Sequence, residues 1–193
     1  CLCAAIPALL SGKNTIGINI YDKDGAAFTL NGNLDMKVKG VGVDMRGSEK
    51  NAVTIAGGTI FTPDDGEEAS YKAVAATSGT FAMGMNDAKT GSNGKDVVVQ
   101  GTISLGKKGT VDLGLGSSKS RWTGIADNKD GHPMNLYLSD GGMWENRRTS
   151  KDQYGLFAGS RVTKVAGGTA PAKAGVIVQK DSNPITIDHY SGH

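Results

Sequence analysis

Residues Gly109–Asn146 read GTVDLGLGSSKSRWTGIADNKDGHPMNLYLSDGGMWEN. Two units of one kind lie end to end in this stretch. Leu113-x-Leu115 leads through a Gly/Ser turn to Trp122, and Leu136-x-Leu138 leads through an Asp/Gly turn to Trp144. The tryptophans are 22 residues apart; the first leucine pair precedes its tryptophan by nine and seven residues, the second by eight and six. Apolar residues alternating with small or polar ones have the period of a half-buried strand. A strand-and-turn unit recurring at about 20–25 residues points to a solenoid, because one coil cannot bury its inner face alone.

The same texture extends in both directions. Thr15–Tyr21, Phe28–Val38, Ala52–Phe61, Val97–Leu105, Arg161–Val165 and Gly175–Gln179 are strand-patterned, with Gly, Asn, Asp or Ser at nearly every boundary. Val53–Thr59 (VTIAGGT) reappears as Val162–Thr169 (VTKVAGGT) with one residue inserted. Only Ala69–Ala76 (ASYKAVAA) offers a short helical pattern. The expected architecture is all-β, a right-handed parallel β-helix, the hand following the rule for parallel crossovers. At 22 residues per coil the chain makes roughly eight or nine coils, about 40 Å of stacked strands. A β-sandwich, whose strands come at similar intervals, is the alternative. The apolar segment Cys1–Gly12 reads as a signal remnant or an interior piece, and residues 13–193 as the solenoid.

Composition supports this and narrows the function. Glycine accounts for 29 of 193 residues, and Asp outnumbers Glu by 15 to 4, a turn-rich balance that disfavours a helix bundle. The net charge of +2 gives no electrostatic case for nucleic acid. The two cysteines, Cys1 and Cys3, leave the rest of the chain without a disulfide framework or a cysteine metal site.

Ser120-Arg-Trp122-Thr-Gly124, Asn135-Leu-Tyr-Leu138 and Gly142-Met-Trp144 together resemble the passenger domains of Gram-negative autotransporters, the type V secreted surface proteins. The match covers about the last 85 residues of the chain. The resemblance implies a β-helix exported across the outer membrane to the cell surface. It implies membrane attachment only through a C-terminal β-barrel, which these residues do not contain. It assigns no particular activity, since passengers include adhesins, self-associating proteins and enzymes.

Chemistry-bearing patterns are sparse. His189 and His193 are four apart, but Pro184 and Ser191-Gly192 argue against a helical zinc pair. No Gly-x-Ser-x-Gly elbow is present, and Gly101–Lys108 (GTISLGKK) misses the hydroxyl of a phosphate loop. Asp22-Lys-Asp24-Gly25 and Asp127-Asn-Lys-Asp130-Gly131 fail the EF-hand spacing and read as turns. Trp122 and Trp144 are either a sugar-stacking platform or coil fillers stacked along the axis; their repetition at coil period favours the second, with Leu113, Leu115, Leu136 and Leu138 as their strands.

The expectation is therefore a non-catalytic surface adhesin or stalk without cofactor or metal. Its partners would be host or bacterial surface glycans or proteins, or other copies of itself. The longer loops, which in solenoids map to one face, supply the candidate contacts. They are Asp64, Asp65, Glu67 and Glu68 in Thr62–Glu68; Asn93 and Lys95 in Asn86–Lys95; and Asp127 and Asp130 in Asp127–Pro133. Arg147 and Arg148 beside Trp144 offer a grip for a sugar or an anion. The alternatives are a lyase-like polysaccharide enzyme on the same scaffold and a purely structural fibre module.

Overall fold

The computed structural model describes residues 6–64, 71–149, 159–180, 182 and 184–193, with backbone alone for 6–14. The strands are β1 (Ile6–Asp22), β2 (Ala27–Gly47), β3 (Ala52–Phe61), β4 (Lys72–Met83), β5 (Val97–Gln100), β6 (Thr102–Leu115), β7 (Arg121–Thr123), β8 (Ala126–Asp127), β9 (Met134–Leu138), β10 (Met143–Asn146), β11 (Ser160–Ala166), β12 (Val176–Gln179) and β13 (Ile185–Ser191). Every ladder between them is parallel. The only antiparallel pairs among the described residues are the isolated bridges Met85–Ser92 and Ser139–Ala174. A sandwich of antiparallel strands is thereby excluded, and the chain is a parallel β-solenoid.

The longer strands turn corners instead of running straight. In β2, residues 27–30 and 34–37 pair successive segments of β3, while residues 41–45 pair β4. The coil therefore has three faces. The first stacks residues 34–37, 58–61, 97–100, 121–123, 143–146 and 176–179. The second stacks 15–22, 40–47, 72–76, 102–105 and 126–127. The third stacks 27–30, 52–55, 80–83, 110–115, 134–138 and 164–166. We name the corners for the faces they join: first–second, second–third and third–first.

The stack makes about six turns, fewer than the eight or nine expected. Its length is correspondingly nearer 30 Å than 40 Å at ~4.8 Å per coil. Only the Trp122–Trp144 coil has the 22-residue return. Gly58 returns at Val97, 39 residues on, and Met143 at Val176, 33 residues on, because loops leave the corners between them. The one short stretch with a helical pattern, 69–76, conforms to the all-β expectation over its described part. From Lys72 onward it is strand β4, and its alanines fit the narrow interior, Ala73 and Ala76 being fully buried.

Each face sends a column of side chains inward. Met36, Ile60, Val99, Trp122, Trp144 and Ile177 stand one above the next on the first face. Leu30, Ile55, Met83, Leu113, Leu136 and Val165 do so on the third, and Val43, Val74, Ile103 and Ala126 on the second. Together they form one core through the stack, each large side chain contributing about 1.5–3 kcal/mol on leaving water.

The tryptophan ladder explains the Trp-x-Gly spacing. The Trp122 indole N–H donates to the Gly101 carbonyl at 3.1 Å, and that of Trp144 to the Gly124 carbonyl at 3.1 Å. Gly124 lies two residues after the lower tryptophan and receives the upper one. A Cβ there would overlap the Gly101 carbonyl oxygen and stand 2.8 Å from the Trp122 indole nitrogen. Only glycine lets the two backbones and the ring share that corner.

Candidate functional site

The three loops expected to converge leave from three different corners. The segment beginning at Thr62 leaves the first–second corner, 86–95 the third–first and 127–133 the second–third. The three loops therefore do not share a corner of the coil. Asp65, Glu67 and Glu68 lie outside the described residues.

Most of the expected contact residues that are described serve as ties. Asp64 and Arg147 do meet: the guanidinium pairs with the Asp64 carboxylate and also with Glu145, at 3.0 Å. The Asp64 hydrogen bond and both negative charges hold the Arg147 pKa above its ordinary value, against the opposing effect of burial. Arg147 is thus neutralised within the chain rather than open to an outside anion, and Arg148 is half-buried beside it. Asp127 accepts from Ser104 Oγ at 3.2 Å on the second face. Asp130 is exposed, 3.9 Å from His132 Nε2. Asn93 donates to the Ala56 carbonyl at 2.8 Å and accepts from the Lys95 N–H at 2.9 Å, pinning its loop to the coil below. The exposed Lys95 ammonium donates to the Asn31 carbonyl at 3.0 Å.

The turn readings at the acidic loops have a geometric counterpart. Asp22 accepts from the N–H groups of Asp24 and Gly25, and Asn128 accepts from the His132 N–H. Among the described residues no three His, Cys, Asp or Glu side chains stand together as metal ligands. Trp122 and Trp144 are both fully buried, so neither ring presents a face to a sugar.

The third–first corner carries the most developed surface. The 84–96 loop folds back over the outside of the third face, where Gly114 and Gly116 leave room for it: a Cβ on Gly114 would stand 3.1 Å from Ser92 Cα, and one on Gly116 would strike Ser92 Oγ. The Tyr137 hydroxyl donates to the Lys89 carbonyl at 3.0 Å, and the Lys164 ammonium lies 5.5 Å from the Tyr137 ring centroid. Beside this contact runs a groove of about 260 Å3, lined in part by Thr90, Ser92, Tyr137, Ser139, Asp140 and Lys173. The two non-glycine residues with positive φ among the described residues, Lys89 (52°) and Asp140 (51°), both belong to its rim loops. Such conformations persist only where surrounding contacts hold them. Hydroxyls, one carboxylate and one ammonium interspersed with Leu138, Ala166 and glycine backbone make a mixed polar and apolar surface suited to hydrogen-bonding a neutral or mixed-charge partner.

Sequence reasoning missed Tyr137 and Lys173. The readable signal was an aromatic residue at the outward position between Leu136 and Leu138. It also missed Asn51, which is 1% exposed and bonds three backbone groups: it accepts from Ala26 N–H at 2.7 Å and donates to the Asp22 and Arg46 carbonyls at 3.0 and 2.7 Å. Nothing local in Ser48–Asn51 distinguishes that side chain from an ordinary turn asparagine.

No family model, curated protein or solved structure matches this chain. Among the described residues no helix is long and apolar enough to cross a membrane, which says nothing of a β-barrel.

Proposed function

We propose that the chain is a rigid, non-catalytic segment of a cell-surface adhesin of the autotransporter passenger type, with its contact surface at the third–first corner. One observation carries the reading: a core running through the whole parallel stack, with a long loop laid back on the outer surface beside a hydroxyl-lined groove. Such a stack transmits force along its axis through every ladder at once. It also holds the groove at a constant distance from whatever bears the solenoid. That most of the described candidate side chains are tied into the scaffold favours presentation over chemistry. The partner class is a surface glycan or protein, or a second copy of the chain.

The test is display of the chain on a non-adherent cell, with adhesion to cultured cells and to immobilised glycans as readouts. Replacing residues 86–92 by a short Gly/Ser linker is expected to abolish adhesion while the β circular-dichroism signal stays. Undiminished adhesion in that variant removes the contact surface from this corner. Release of unsaturated oligosaccharides from an acidic polysaccharide by the purified protein overturns the non-catalytic reading in favour of a lyase.

A further inference from the structure

The sequence holds two Asn-Gly pairs, Asn31-Gly32 and Asn93-Gly94. Both lie at the third–first corner, and the structure treats them oppositely. Asn-Gly is the dipeptide in which the backbone nitrogen of the second residue most readily attacks the side-chain amide of the first, because glycine puts no side chain in the way. The attack needs a free asparagine side chain, and it needs the glycine amide to lose its proton.

Asn93 meets neither need. Its amide nitrogen donates to the Ala56 carbonyl, its amide oxygen accepts from the Lys95 N–H, and the Gly94 N–H donates to Ser92 Oγ at 3.1 Å. Asn31 is exposed, and its side chain makes no hydrogen bond. Asn31 and Gly32 also have no register partner on β3, since the register of β2 with β3 breaks between Leu30 and Asn33. The carbonyl of that same peptide accepts from the Lys95 ammonium at 3.0 Å. When the Gly32 amide loses its proton, the negative charge settles largely on this carbonyl oxygen. A cation already bonded there stabilises the anion and raises the acidity of the N–H.

We propose that Asn31 is a built-in deamidation site promoted by Lys95, and that Asn93 is its protected counterpart. In the reaction, hydroxide from solvent takes the Gly32 amide proton. The nitrogen then forms a bond to Asn31 Cγ, and the Cγ–Nδ2 bond breaks. The departing nitrogen takes a proton from water and leaves as ammonia. Water next opens the resulting five-membered succinimide at either carbonyl, giving an aspartyl or an isoaspartyl linkage. No oxidant or reductant is involved. The product gains one negative charge beside Lys95, and the isoaspartyl form adds one carbon to the backbone at a coil boundary. The chain would thus carry a covalent record of its age at one corner.

Incubation of the folded protein in mildly alkaline buffer, followed by peptide mass mapping and an isoaspartyl methyltransferase assay, tests this. A one-dalton gain is expected in the peptide carrying Asn31 well before the peptide carrying Asn93. Full denaturation should bring the two rates together. Lys95→Met is expected to slow the reaction at Asn31 about threefold, the scale of an exposed charge contact, while Lys95→Arg restores it. Equal rates at the two asparagines in the folded protein overturn the assignment. An unchanged Asn31 rate in Lys95→Met overturns the role of the lysine.

Discussion

Trp122 and Trp144 lie face to face across adjacent coils, ring centroids 4.9 Å apart and planes within 5° of parallel. Their Cα atoms are register partners, so the contact follows from the ladder itself. Trp144→Ala empties a fully buried site and is expected to cost about 3–5 kcal/mol in a denaturant titration. Trp144→Phe keeps an aromatic ring but leaves the Gly124 carbonyl without its donor, at about 1–3 kcal/mol. A double-mutant cycle with Trp122 should return a coupling of about 0.5–1.5 kcal/mol. Additivity of the two truncations would mean that the stack is geometric only.

Gly124→Ala and Gly94→Ala separate steric conflict from backbone strain. At Gly124 the new methyl group meets the Gly101 carbonyl and the Trp122 indole. At Gly94 nothing lies within 4 Å, although φ is +76°. Gly124→Ala should prevent folding or lower the melting temperature severely. Gly94→Ala should cost about 1–2 kcal/mol, the left-handed penalty for a side chain. Similar losses at the two positions would contradict the close approach at Gly124.

Asn51→Ala removes three hydrogen bonds to backbone groups at one corner and is expected to cost about 3 kcal/mol or more. Asn51→Asp is nearly isosteric, yet it replaces the two donated bonds by a carboxylate facing the Asp22 and Arg46 carbonyls. It should be no better tolerated than alanine. Thermal melts of the two variants check this, and a wild-type melt for Asn51→Asp would show that the corner relaxes around the change.

The Asp64–Arg147 pair should contribute under about 1 kcal/mol, since both side chains are 31% exposed and the pair is screened by water. Arg147→Met should lower stability slightly at low salt and less at high salt. The pH dependence is set by the raised arginine pKa. A raised folded value stabilises fully below the unfolded pKa and is lost only as pH rises through the folded one. The ordinary arginine value already lies far above neutral pH. The arginine contribution is thus constant through the neutral and mildly alkaline range, and a comparison of wild type with Arg147→Met from neutral to mildly alkaline pH should give parallel curves.

The 22-residue spacing of the tryptophans and the leucine pairs at 113/115 and 136/138 made stacked parallel coils readable from residues alone. An inward column depends only on the side chain at one strand position and on the alternation around it. The same local origin misled the coil count, because the shortest coil was extended to a chain in which several coils carry long loops. It also accounts for the faint helical pattern at 69–76, where alanines that fit a narrow interior resemble a helix former's alanines.

The amino-acid sequence by itself determined the class of fold, the inward columns and the stacking of Trp122 on Trp144, because each follows from period-two alternation repeated at coil distance. Only the tertiary structure decided which loops share a corner, which side chains tie one coil to the next and which asparagine is left free. Those properties join residues such as Lys95 and Asn31, 64 positions apart. They depend on how many residues each corner absorbs before the next strand begins, and local pattern does not encode that number.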